Sequence, residues 1–160
     1  DRVQHLVKTL KNYSNYQFIF TTHSSNVVTE LGVSDLCIMR RKANRLLDIP
    51  KTIAMQKCVR HNSEALFARK IIIGEGATEV GLCRALNDDR MTNGKESMSY
   101  LGIKILDGTG NSAVEYAEAL NKLGFKIAFL CDSDEANTNL KKQSLKDMGV
   151  AFSIVKKEKL

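Results

Sequence analysis

Acidic residues directly follow three apolar segments in the second half of the sequence. Glu75 follows an isoleucine-rich segment, Asp107 a second apolar segment, and Asp132 and Asp134 a third. If these segments are neighbouring strands of one parallel sheet, about 4.8 Å apart, their acids crowd together at one edge and repel each other. A hard divalent cation such as Mg²⁺ relieves that repulsion, because it prefers carboxylate oxygens as ligands.

Glycines and a further acid strengthen this interpretation. Gly76 follows Glu75 and Gly108 follows Asp107, and glycine lets a backbone turn sharply and approach a substrate closely. Glu79 comes four residues after Glu75, so the first turn of a helix could direct it to the same ion. The predicted metal ligands are therefore five acids: Glu75, Glu79, Asp107, Asp132 and Asp134.

The elements that must position these acids alternate between apolar strands and helices. The pattern predicts strands at 70–73, 103–106, 126–130 and 150–155, and helices at 63–68, 78–87, 112–123 and 135–148. Alternating elements with nearly all-apolar strands are typical of an α/β fold, a mostly parallel sheet with helices on both faces. Ligands of such folds gather beyond the carboxyl ends of the strands, where the acids fall.

The first part of the sequence is less regular. It predicts a helix over 3–10, a strand over 17–21, a short helix ending near Leu31, and a hairpin from two further strands at 35–40 and 46–49. Pro50 lies in the least patterned region, so we expect a domain boundary there. The expected domains are residues 1–60 and 61–160.

Each acid also has a purely structural interpretation. Asp107 or Asp132 could cap a helix, Glu75 could be an exposed turn residue, and Glu135 could interact with a helix dipole. The coincidence of three acidic strand ends favours a metal site over these separate roles.

The same residues resemble a Toprim domain. Glu75-Gly76 is followed 57 residues later by Asp132-Ser133-Asp134, each after a hydrophobic strand. The stretch 70–79 is similar to nucleases of the overcoming-lysogenisation-defect (OLD) family, in which the strand runs into Glu-Gly-x-x-Glu. Asp107-Gly108 matches their middle acidic position. Gly74 departs from the pattern, because the family usually has a larger apolar residue there.

The upstream sequence resembles a second module. Thr21-Thr22-His23-Ser24, after an apolar segment, is similar to the last strand and switch histidine of ABC-type ATPases. The resemblance implies that His23 senses the ATP γ-phosphate. The phosphate-binding loop G-x-x-x-x-G-K-[ST] does not occur in this sequence, and we expect it before Asp1 in a longer protein. The order of an ATPase end and a Toprim domain is that of OLD proteins.

Together, the resemblances imply an ATP-regulated, metal-dependent DNA endonuclease. Glu75, Asp132 and Asp134 would be catalytic, with Mg²⁺ or Mn²⁺ and, in the full-length protein, ATP as cofactors. OLD-type nucleases use a lysine downstream of the last acidic motif, and candidates here are Lys156, Lys157 and Lys159. The resemblance also implies DNA as a partner, a homodimer formed through the ATPase half, and a role in phage defence or DNA repair, with a second defence-system protein as a further partner.

The sequence leaves two alternative functions. One is a non-cutting, ATP-gated DNA-binding or assembly protein whose Toprim fold is structural. The other is a receiver-like domain phosphorylated on Asp132, but such domains need an acidic pair after their first strand, and Gly74-Glu75-Gly76 fits that poorly.

The composition limits the classes of protein to which this chain could belong. Lys plus Arg is 24 and Asp plus Glu is 18, a net charge of +6 that permits polyanion binding without indicating it. The 43% hydrophobic and 26% charged residues argue against a disordered chain, and no apolar run is long enough for a membrane span. The four cysteines form no CxxC motif and no signal peptide begins the sequence, so the expectation is a reducing cytoplasm.

Overall fold

The computed structural model describes residues 2–13, 15–39, 46–132 and 138–155. Within it, the chain divides into two compact units, Asp1–Phe67 and Ala68–Leu160. The first unit therefore reaches a few residues further than the boundary expected at residue 60.

The first unit is mostly helical. Its helices are α1 (Arg2–Lys11), α2 (Ser25–Thr29) and α3 (Ile53–His61), and short 3-10 turns cover Val33–Asp35 and Ser63–Phe67. The predicted hairpin is present, since β1 (Cys37–Met39) pairs antiparallel with β2 (Leu46–Asp48). Helix α3 falls where the sequence had little pattern. Thr52 caps the start of this helix, because its side chain accepts a hydrogen bond from the Met55 N–H at 3.1 Å.

The prediction of a strand over residues 17–21 is wrong. These residues adopt no regular secondary structure, and Ile19 is 89% exposed. A strand needs a neighbour for its backbone hydrogen bonds, and the described part of the first unit offers residues 17–21 none. The apolar sequence alone therefore did not suffice to form a strand.

The second unit is the predicted parallel α/β domain. Along the chain it contains β3 (Lys70–Gly74), α4 (Ala77–Thr92), β4 (Ile103–Asp107), a 3-10 turn (Gly110–Ser112), α5 (Ala113–Lys122), β5 (Lys126–Asp132), α6 (Thr138–Asp147) and β6 (Ala151–Val155). The four strands form one sheet in the order β4-β3-β5-β6, and every described neighbouring pair is parallel. Helix α4 continues to Thr92, beyond the predicted end at residue 87.

One face of the sheet is the better buried. Alternate strand residues such as Ile71, Ile73, Leu106, Ile127 and Phe129 are almost completely buried. Tyr116 and Leu120 of α5 are also fully buried. Burying large apolar side chains, at about 25 cal/mol per Å² of area, is the main force that holds such a sheet and its helices together. The strand ends are therefore fixed by a packed core.

Candidate metal and nucleic-acid site

The acidic strand ends meet at the carboxyl edge of the parallel sheet, with Glu75 between the other two. Gly74 is in register with Asp107 on one side and with Leu130 on the other. The Glu75 N–H donates to the Leu130 carbonyl at 2.9 Å, which continues the ladder between β3 and β5 by one residue. Strands about 4.8 Å apart with about 3.3 Å per residue place the Glu75 Cα about 6 Å from the Cα of Asp107 or Asp132.

The chain connections favour a cleft at Glu75 and Asp132. Strand β3 connects through α4 to β4 on one side of it, whereas β5 connects through α6 to β6 on the other side. Loops that leave neighbouring parallel strands in opposite directions open a crevice beyond their carboxyl ends, and ligands of α/β sheets bind there. Glu75 and Asp132, both half-buried, lie at that point.

The loop that follows Asp107 is hydrogen-bonded to the backbone at the end of β3, next to Glu75. The Gly108 N–H donates to the Gly74 carbonyl at 2.8 Å, and the Gly110 N–H donates to the Glu75 carbonyl at 2.7 Å. Oδ1 of Asp107 accepts the Thr109 N–H at 2.8 Å, so one carboxylate oxygen stabilises the loop. Thr109 has φ 50°, a left-handed conformation that is uncommon for a residue other than glycine. The loop thus fixes Asp107 and the Glu75 backbone relative to each other.

Two glycines of this edge are closely packed, and at Gly108 there is no space for a side chain. A Cβ on Gly108 would lie 2.3 Å from the Ala113 Cβ and 2.7 Å from the Gly74 carbonyl oxygen. A Cβ on Gly74 would lie 3.0 Å from atoms of both Glu79 and Val80, so these neighbours would have to shift by a few tenths of an ångström to admit a side chain. Both glycines are evident in the sequence, but only the packing shows how little space surrounds them.

Glu79 is oriented towards the start of its own helix. Its side chain is almost completely buried, and its Oε2 accepts the Gly76 N–H at 2.9 Å. That bond satisfies one of the free N–H groups at the start of α4. Burial, with a smaller contribution from the Glu79 carboxylate, raises the pKa of Cys83 one turn further along. Glu79 therefore has a structural role, and its part in metal binding stays a prediction.

The ligand set is only partly within the described residues. Asp134 lies outside them, as do Glu135 and the three candidate lysines Lys156, Lys157 and Lys159. Among residues that the structure describes, no three His, Cys, Asp or Glu side chains group closely enough to hold an ion. The donors present are carboxylates at the carboxyl edge of the sheet, and carboxylates are the donors that Mg²⁺ and Mn²⁺ prefer.

His23 is an exposed residue of the first unit and lies two residues before the start of α2. The Ser24 N–H donates to the Thr22 Oγ1 at 3.0 Å, and α2 starts at the next residue. The His23 ring lies 6.5 Å from the ring of Phe67. The histidine is thus available at the surface of its unit, although the strand expected before it is absent.

Comparison with known families supports the assignment of the second unit. A family model described as "Overcoming lysogenization defect protein-like, TOPRIM domain" matches residues 66–134. This stretch is similar to an OLD-like Toprim domain. It includes all three acidic strand ends, and the parallel four-stranded sheet is consistent with the Toprim fold. Such domains are metal-binding and nuclease-related, and are typically associated with metal-dependent cleavage of nucleic acids.

The other comparisons add nothing to this family match. No curated protein and no solved structure matches the chain significantly.

In the described ranges, no helix combines the length and the apolar character that crossing a membrane demands.

Proposed function

We propose that this chain is part of a divalent-metal-dependent DNA endonuclease that an ATPase domain regulates. The observation that carries the proposal is the position of Glu75 between Asp107 and Asp132 at the carboxyl edge, inside the stretch that matches the Toprim model. Glu75, Asp132 and Asp134 would bind the cations, and Glu79 and Asp107 would complete the site.

The bound cations would supply an activated water and stabilise charge on the leaving oxygen of a phosphodiester. The protein's own part is to hold the carboxylates apart and in place. The hydrogen bonds of Gly108 and Gly110 to the end of β3 fix the backbone of Glu75, and the ladder with β5 fixes it on the other side. Positioning of this kind lowers the barrier, because the donors need little reorganisation when the reaction begins.

The proposal is tested by plasmid nicking with the full-length protein in Mg²⁺ or Mn²⁺. Glu75→Gln and Asp132→Asn each remove one charge while keeping the side-chain shape, and both should abolish cutting. Asp88→Asn, on the exposed side of α4, removes the same charge away from the edge and should cut normally. Full activity in both edge variants would reject the nuclease assignment, and DNA binding without cutting by the wild type would favour the non-cutting alternative.

The regulatory half of the proposal concerns His23. We propose that it contacts the ATP γ-phosphate in the complete ATPase domain, through which the protein would dimerise. His23→Ala should then lower ATP turnover or remove its control over cutting. ATPase rates and ATP-dependent cutting identical to those of the wild type would remove this role, and leave the metal site unaffected.

A further inference from the structure

The amino edge of the same sheet, opposite the acids, carries a pair of exposed lysines. Lys70 is the first residue of β3 and Lys126 the first residue of β5, and the two are in register on these neighbouring parallel strands. Residues in register point to the same face of a sheet, so two ammonium groups leave one face from backbones about 4.8 Å apart. Arg69, also exposed, immediately precedes Lys70.

These positive charges form no ion pair with any residue that the structure describes. No carboxylate among the described residues lies within ion-pair distance of Arg69, Lys70 or Lys126, and the ion pairs found there, Lys8–Glu30 and Lys11–Asp35, are in the first unit. Like charges in register destabilise a sheet unless an anion screens them.

Lys122, the last residue of α5, is a fourth basic residue at this edge. Helix α5 ends at Lys122, and the Phe125 N–H donates to the Leu120 carbonyl at 3.1 Å while Gly124, at φ 81°, closes the turn. This tight turn leads straight into Lys126, so the exposed Lys122 lies at the same edge of the sheet.

We propose that this amino edge, formed by Arg69, Lys70, Lys122 and Lys126, is a second nucleic-acid-binding surface that contacts the phosphate backbone of DNA. The choice of DNA as the polyanion rests on the proposed function, whereas the charge arrangement does not. A strand of five residues spans about 13 Å from its first to its last Cα, so this surface is separate from the acidic edge. It would hold the duplex without metal and without reading its sequence.

The test is binding of a fluorescent 30-base-pair duplex to the full-length protein in EDTA, where metal-dependent cutting cannot occur, across a series of NaCl concentrations. The variant is Lys70→Gln with Lys126→Gln. The control is Lys57→Gln with Arg84→Gln, which removes the same net charge from exposed positions on α3 and α4.

The slope of log affinity against log salt is negative, and losing two phosphate contacts should make it less steep by about 1.8. Between 0.05 and 0.2 M NaCl, wild-type affinity should therefore fall about 12-fold more than the affinity of the lysine variant. The control should keep the wild-type slope. The melting temperature of the lysine variant should be no lower than that of the wild type, because the change relieves a like-charge pair.

An unchanged slope and affinity in the lysine variant, or the absence of wild-type DNA binding in EDTA, would overturn the proposal. A change equal to that of the control would also overturn it, because net charge would then account for the effect. Loss of cutting in Glu75→Gln is measured separately in Mg²⁺, so the metal site and the lysine surface can fail independently.

Discussion

Replacing Gly108 by alanine tests the packing that holds the acidic edge together. The added Cβ would lie 2.3 Å from the Ala113 Cβ, 2.7 Å from the Gly74 carbonyl oxygen and 2.9 Å from the Ala113 Cα. None of these atoms belongs to a side chain that can rotate away, so the loop after β4 or the start of α5 must move. Overpacking of this kind costs about 1–3 kcal/mol, and we expect about 3 kcal/mol because backbone must shift.

The matched control is Gly81→Ala in α4. Gly81 has open space where a Cβ would be, and alanine is the better helix former, so we expect about 0.5–1 kcal/mol of stabilisation. The two substitutions add the same methyl group to the same unit, and the structure predicts opposite signs. A difference of that size is larger than the usual error of a stability measurement.

Native-state hydrogen exchange followed by mass spectrometry measures both effects within the second unit. Protection of the β3 and β5 peptides should fall about 140-fold in Gly108→Ala, since about 1.4 kcal/mol corresponds to a factor of ten. In Gly81→Ala it should rise a few-fold. Gly108→Ala with unchanged protection would refute the close approach of the loop after β4 to the end of β3 and the start of α5.

Three other predictions concern single side chains. Glu79→Ala should destabilise the second unit by about 1 kcal/mol or more in urea unfolding, because the Gly76 N–H loses its acceptor and a buried side chain is removed; unchanged stability would contradict the cap. The exposed Cys37 should react with iodoacetamide at pH 8 before the buried Cys58, whose pKa burial raises to about 12. The hydrogen bond to Asp48 raises the pKa of Cys37 as well, so Asp48→Asn should lower that pKa, increase the thiolate fraction at pH 8 and speed the labelling; slower labelling would reverse the predicted sign.

The fold of the second unit could be predicted from sequence because local pattern and global packing agree there. Isoleucine-rich β3 is buried on alternate positions, and helices separate it from β4 and β5 as expected. The apolar residues 17–21 look much the same in sequence, but a strand depends on a partner that local pattern does not reveal. Helix α3 was missed because the region after Pro50 has little pattern and was interpreted as a domain boundary, although the capping residue Thr52 lies there.

The sequence predicts which acids follow the strands, but it does not predict the geometry of the edge that they form. Strand ends identify Glu75, Asp107 and Asp132, because parallel strands bring their carboxyl ends to one edge. Sequence could not show that Glu79 accepts a hydrogen bond at the start of its own helix, nor that Gly108 leaves no space for a side chain. Both depend on contacts between β3, β4 and the helices that follow them.

The most direct measurement of the central claim is Mn²⁺ binding by isothermal titration calorimetry, with the full-length protein in the absence of DNA and ATP. We expect Glu75→Gln and Asp132→Asn each to weaken Mn²⁺ binding at least about tenfold, since even the loss of a residue that only supports a metal ligand costs 10- to 100-fold. Asp88→Asn should bind like the wild type. Wild-type affinity in both edge variants, or no binding by the wild type, would contradict a shared metal site at the carboxyl edge.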